Sequence, residues 1–141
     1  MPIRLGIDLV EVEAVEKVLT GRLRDRYLAR LFAPGEVEEC SPQARLRPER
    51  VAVHLAAKEA VVKVLPGSSI FHARGIALVR GAAGRFSIVL SEPFRELAAR
   101  QEMRELRVSV GSTRGYAIAL VLAEMDRVPG PSASQAMPSA S

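Results

Sequence analysis

The stretch from about Pro48 to Leu65 constrains this chain more than any other. Proline at its start and Pro66-Gly67 behind it bracket a helix, because proline fits a first helical turn and cannot extend a last one. Its middle reads Leu55-Ala56-Ala57-Lys58-Glu59-Ala60-Val61-Val62-Lys63. The alanines let a ligand or another chain approach the backbone, and Lys58 and Glu59 sit among them. Glu59 and Lys63 are four residues apart in the favourable orientation, so a surface ion pair contributing a few tenths of a kcal/mol explains them equally well.

A second acid lies in an apolar setting. Residues 3–10 alternate, with Ile3, Leu5, Ile7 and Leu9 on one side and Arg4, Gly6, Asp8 and Val10 on the other. That period is a strand signature. Asp8 there either ends a strand through ordinary hydrogen bonds or serves a charge, because a carboxylate among apolar groups is costly unless a cation meets it. Together, Asp8 and Glu59 are the carboxylates a magnesium ion takes alongside substrate phosphates. Lys58 and Lys63 would then neutralise phosphate charge.

Other chemistries fit poorly. His54 and His72 do not share a zinc-like spacing. Gly81-Ala82-Ala83-Gly84 and Gly111-Ser112-Thr113-Arg114-Gly115 lack the Gly-Lys-Ser/Thr ending of a Walker loop and read as turns. Ser112 has no base partner in sight. Cys40 is the sole cysteine, which excludes an intrachain disulfide and suits a reducing cytoplasm. Lys and Arg total 20 against 16 Asp and Glu, an excess that favours anionic partners but falls short of a nucleic-acid surface. Met1-Pro2-Ile3-Arg4 leads straight into the first strand without a signal peptide, and no apolar run is long enough to span a membrane.

At 141 residues with 4% aromatics, the chain is expected to form one domain with a core of Leu, Val, Ile and Ala. After the first strand, Glu11 to about Leu31 reads as helix interrupted at Gly21, and Pro34 to about Cys40 as a short helix. Hairpin strands are expected at 75–80 and 85–90, a helix from Glu92 to about Met103, and a second strand pair at 106–110 and 116–123. This is an α+β order, an antiparallel sheet packed with one long helix and shorter ones. Residues 1–126 form the domain, and 127–141, rich in Pro, Ser and Ala, read as a disordered tail.

Three blocks in this order resemble the holo-acyl-carrier-protein synthases, small 4′-phosphopantetheinyl transferases. They are Gly6-Ile7-Asp8-Leu9-Val10-Glu11-Val12, then Phe32-Ala33-Pro34-Gly35-Glu36 with Cys40 beyond, and Ala56 to Leu65. Val108-Ser109-Val110, Thr113 and Tyr116-Ala117-Ile118-Ala119 also fit, so the likeness runs over roughly residues 3–124. It implies that fold, and transfer of the phosphopantetheine arm of coenzyme A to a serine of an acyl carrier protein. It further implies magnesium on Asp8 and Glu59, Lys58 near the reacting phosphate, and coenzyme A contacts from Lys63, His54, Gly67, Ser112 and Thr113. Homotrimers with active sites between subunits are expected, and an acidic carrier would suit Arg22, Arg24, Arg26 and Arg30. Glu36 and a metal-bound water are both open as general base.

The chain also departs from that pattern. His54 stands where an arginine is usual, and Ser109-Val110-Gly111-Ser112-Thr113 lacks the histidine of Ser-x-Ser-His-Thr. The loop after the long helix reads Leu65-Pro66-Gly67-Ser68-Ser69, and an acidic strand is reduced to Gly75-Ile76-Ala77-Leu78-Val79. Each lost charge-assisted phosphate contact costs about 1.5–3 kcal/mol. A rival reading follows: a repurposed homologue that binds a carrier protein, or acts on a carrier-bound acyl chain, without phosphopantetheine transfer. A generic nucleotide-binding α+β domain ranks last, because it leaves the ordered blocks unexplained.

Overall fold

A computed structural model describes residues 2–126. The tail expected at 127–141 lies outside the described residues. Strand β1 (Ile3–Glu11) leads into helices α1 (Val12–Leu19), α2 (Arg24–Leu31) and α3 (Pro34–Glu39). The long helix α4 (Pro48–Val64) follows, then the hairpin β2 (Ile76–Arg80) and β3 (Phe86–Leu90), helix α5 (Phe94–Arg100), and strands β4 (Met103–Thr113) and β5 (Tyr116–Met125). Strands β1, β5 and β4 form an antiparallel sheet in that spatial order, and β2–β3 form a separate antiparallel pair. Among the described residues, no helix is long and apolar enough to cross a membrane.

Helix α4 is the axis of the fold. It lies across the inner face of the three-stranded sheet, where Ala117, Ala119, Val121, Ala123 and Met125 of β5 meet Val51, Ala52, Ala56, Ala57, Ala60 and Val61. Small residues on both sides bring helix and sheet close together. The tightest point is Gly6 on β1: a Cβ there would stand 2.3 Å from the Ala60 carbonyl oxygen. Any side chain at this position would push β1 off the helix.

The alternation of β1 is therefore used in an unusual sense. Arg4, Gly6, Asp8 and Val10 face α4, while Ile3, Leu5, Ile7 and Leu9 are each more than half exposed. On β5 the outward residues Tyr116, Ile118 and Leu120 continue the same apolar surface.

The segment 111–115 corrects the sequence reading. Gly111, Ser112 and Thr113 belong to β4, paired with Ile118, Ala117 and Tyr116, and only Arg114 and Gly115 make the turn. Gly115 has φ +91, a left-handed conformation that glycine adopts at no steric cost. Helix α5 is shorter than expected, because its N-terminal side is taken by Pro93 and its C-terminal side by the left-handed Glu102.

Candidate active site

Strand β1 carries Asp8 to the face that meets α4, in register with Ala119. From the last turn of α4, Lys63 reaches across: its Nζ donates to Asp8 Oδ1 at 2.9 Å and to the Ile7 carbonyl at 2.6 Å. The Asp8 side chain is 13% exposed and that of Lys63 52%, so the pair runs from the interior to the surface. Asp8 Oδ2 is buried and has no hydrogen-bond partner.

Glu59, one turn before Lys63, presents the second carboxyl. Burial pushes it up to about 7, reinforced by its hydrogen bond to Asp8 and by the Asp8 charge, with Lys63 pulling the other way. Two carboxyls this close resist ionising together unless a cation joins them. The same carboxylate is felt by Tyr27 on α2, whose hydroxyl is pushed up to about 12 by burial first and by Glu59 second. Tyr27 therefore flanks the site. The sequence marks it only as one apolar position on a helix face, with no sign that its hydroxyl would lie near an acid.

The two carboxyls, an orphaned buried oxygen and a half-exposed lysine fit a hard divalent ion. Among the described residues, no group of three or more His, Cys, Asp or Glu could hold a metal. Magnesium commonly takes only one or two carboxylates from a protein and completes its shell with water and substrate oxygens.

Lys58 belongs to a different cluster. It points into the core, fully buried, and its Nζ donates to Glu36 Oε1 at 2.6 Å and to the carbonyls of Ala73 and Ile76. All three ammonium hydrogens are thereby used. Burial pulls the ammonium below the usual lysine range, with the Glu36 charge and hydrogen bond acting against it. Lys58 is thus committed to partners in the core, with no ammonium hydrogen left for a phosphate.

Glu36 is the hub of this second cluster. Its carboxylate accepts from Lys58, from the backbone N–H groups of Ala33 and Leu78, and pairs with His54 Nδ1 at 2.9 Å. Burial works to raise it, but His54, Lys58 and the Ala33 N–H outweigh burial and hold the carboxyl below its usual range. Buried, ionised and fully engaged, Glu36 is not a general base; it ties α3, α4 and β2 together.

His54 lies on the wall of a cavity of about 300 Å³, which Gly111, Ser112, Arg50, Arg80 and Phe86 also line. The two departures at His54 and Ser112 thus meet at one place. Arg50 and Arg80, which sequence reasoning passed over, stand beside them. Arg50 precedes His54 by four residues on α4, a helical spacing the sequence does offer, whereas Arg80 ends β2 and no local spacing connects it to either position. Thr113 is exposed next to the β4–β5 turn. Gly67 follows α4 with φ +90, and a Cβ there would stand 3.5 Å from the Leu97 side chain.

This geometry has known counterparts. The family model of the 4′-phosphopantetheinyl transferase superfamily matches residues 4–121.

The chain belongs to that superfamily.

A holo-[acyl-carrier-protein] synthase of Moorella thermoacetica is 36% identical over 121 residues, covering 84% of this chain and 91% of the relative. The crystal structure of the Helicobacter pylori holo-[acyl-carrier-protein] synthase in complex with coenzyme A superposes with a TM-score of 0.74 at 26% identity, covering 86% of this chain and all of that one. A Chronobacterium ammoniagenes complex with coenzyme A gives the same TM-score and identity over 90% of this transferase. The α+β fold with antiparallel sheets is thus the family's own, and the length matched leaves the relatives almost fully covered.

Proposed function

We propose that this chain is a holo-acyl-carrier-protein synthase. It moves the 4′-phosphopantetheine arm of coenzyme A onto a serine of an apo acyl carrier protein and releases 3′,5′-ADP. The observation that carries the reading is the Asp8, Glu59 and Lys63 cluster on α4 and β1, in a chain whose relatives bear that name. The serine oxygen forms a bond to the β-phosphorus, the bond from that phosphorus to the bridging pyrophosphate oxygen breaks, and the serine proton leaves to solvent or a nearby base. Asp8 and Glu59 would hold a magnesium ion, which would supply charge screening for the pyrophosphate. Lys63, half exposed beside Asp8, adds a movable cation for the same oxygens. Lys58 acts at a distance, by locking Glu36 and hence the wall formed by α3 and β2.

The carrier surface follows from charge and position. Arg22, Arg24, Arg26 and Arg30 are all exposed around α2, the helix whose Tyr27 lies beside Glu59. An acidic carrier protein resting there would bring its serine toward Asp8 and Glu59. The exposed apolar face of β1 and β5 supports a homotrimer, and the single cysteine, Cys40, supports a cytoplasmic setting.

The test is intact-mass measurement of candidate apo-carriers after incubation with the protein, coenzyme A and magnesium. Addition of phosphopantetheine is expected, and Asp8→Ala and Glu59→Ala should abolish it while leaving the fold intact. A protein that binds no coenzyme A and modifies no carrier would instead fit the repurposed-homologue reading.

A further inference from the structure

Tyr27 stands where the charged outer face of α2 gives way to its packed stripe. At about 100° per residue, Arg30 lies about 60° around the helix from Tyr27, and Arg26 about 100° in the same direction. Leu31 and Leu28 lie on the opposite side of Tyr27, packed into the core. Arg26 and Arg30 are exposed, Tyr27 is half-buried and Leu28 is buried. One residue thus borders both the arginine face and the interior.

The ring of Tyr27 is held in place. Its centroid lies 6.0 Å from that of Phe32, with the two planes tilted by 51°. Phe32 in turn lies 5.2 Å from Lys58 Nζ and 6.4 Å from the His54 ring, both on α4. Through Phe32, Tyr27 is therefore seated against the middle of α4, where Glu59 follows Lys58. The Glu59 charge reaches the phenol.

The hydroxyl itself is uncommitted. It makes no hydrogen bond to any described residue, and it is not one of the two buried side-chain atoms without a partner, Asp8 Oδ2 and His54 Nε2. It therefore opens to solvent. A phenol carries one hydrogen to donate and lone pairs with which to accept. Negative charge at Glu59 turns the hydrogen toward itself, so the lone pairs face away from Glu59 and toward whatever arrives from outside.

We propose that the Tyr27 hydroxyl orients the acceptor serine of the carrier protein, accepting the hydrogen bond of the serine O–H and leaving the serine oxygen's lone pairs for the phosphorus. The inference rests on the transferase reading and on a carrier that approaches over the α2 arginines. No covalent bond changes in this contact. A nucleophile held before attack has less freedom left to lose in the transition state.

Tyr27→Phe tests this, because the ring and its Phe32 contact stay and one oxygen leaves. The variant should keep the native Tm. In intact-mass assays with an apo carrier that the native protein modifies, kcat should fall roughly three- to tenfold, the strength of one neutral hydrogen bond. KM for coenzyme A should not change. A binding cycle reads the contact without turnover. The apo carrier, and the same carrier with its acceptor serine replaced by alanine, are titrated into the full chain with magnesium and 3′,5′-ADP, which has no phosphopantetheine to transfer. Native protein should prefer the serine carrier roughly three- to tenfold, and Tyr27→Phe should bind both alike. Either a native kcat or a serine preference that survives in Tyr27→Phe would overturn the proposal alone. A native protein that binds no coenzyme A and modifies no carrier would overturn the transferase reading and this inference with it.

Discussion

Asp8 and Glu59 illustrate how two acids can be unfavourable for the fold and favourable for a ligand. The Glu59 carboxyl titrates near 4.5 when free and at about 7 here, from burial and then from Asp8. Its contribution to stability is fully present below about 4.5 and is lost as pH rises through about 7, because in that window the native chain holds the proton that the unfolded chain has given up. The metal-free protein should therefore lose thermal stability between pH 5 and 8, and Glu59→Gln should flatten most of that loss in a Tm series with chelator present. Magnesium affinity should weaken by roughly tenfold per pH unit below about 7, since binding must expel one proton; a calorimetric affinity that does not vary with pH would contradict the paired-carboxyl site. Much of this was legible in the sequence. Acids set among Ile, Leu and Ala mark themselves by their cost, and Lys63 follows Glu59 at helical spacing. The direction of Lys58 was not legible. Neighbours on a helix differ by about 100° in heading, and only the packed partners, Glu36 on α3 and two carbonyls near β2, reveal that Lys58 turns inward.

At the scale of elements, α4 and β1 position everything else. Their proximity depends on Gly6, where an added methyl group would meet backbone rather than a yielding side chain. Gly6→Ala should cost about 1–3 kcal/mol in urea unfolding, as overpacking usually does, and should also lower transfer activity by moving Asp8 relative to Glu59. The Glu36 hub makes a sharper claim. Removing Lys58 leaves a buried carboxylate without its cation, so Lys58→Met should destabilise by about 3–5 kcal/mol. The double variant Lys58→Met with Glu36→Gln should recover part of that loss. If Lys58 instead touched substrate, the single variant would fold normally and fail only in turnover. Element types and order could be read from periodicity and from proline and glycine placement. The extent of β4 could not, because Gly111-Ser112-Thr113 resembles a turn locally and becomes strand only through pairing with β5.

For the whole molecule, the outer face of the sheet poses the main question. Ile7 pairs with Leu120 and Leu9 with Ile118 across β1 and β5, and all four side chains are exposed in the single chain. Alternation in the sequence divided the strand into two faces without deciding which of them packs on the helix. The mixed face of Arg4, Gly6, Asp8 and Val10 packs on α4 because glycine permits close approach there, while the uniformly apolar face stays open. A contiguous patch of this kind on a small domain marks an interface. It lies on the reverse of the strand that carries Asp8, so assembly through it would hold β1 flat and fix the Asp8 backbone, to which Lys63 is already bound through Ile7. Ile7→Lys combined with Ile118→Lys should convert the proposed homotrimer to monomer in analytical ultracentrifugation, because each lysine would have to enter an apolar contact unpaired. Circular dichroism of that monomer should still show the folded helices, since α4 packs on the opposite face. Transfer activity should fall at least tenfold. Sedimentation of the double variant as the same species as the native protein would mean that subunits join elsewhere.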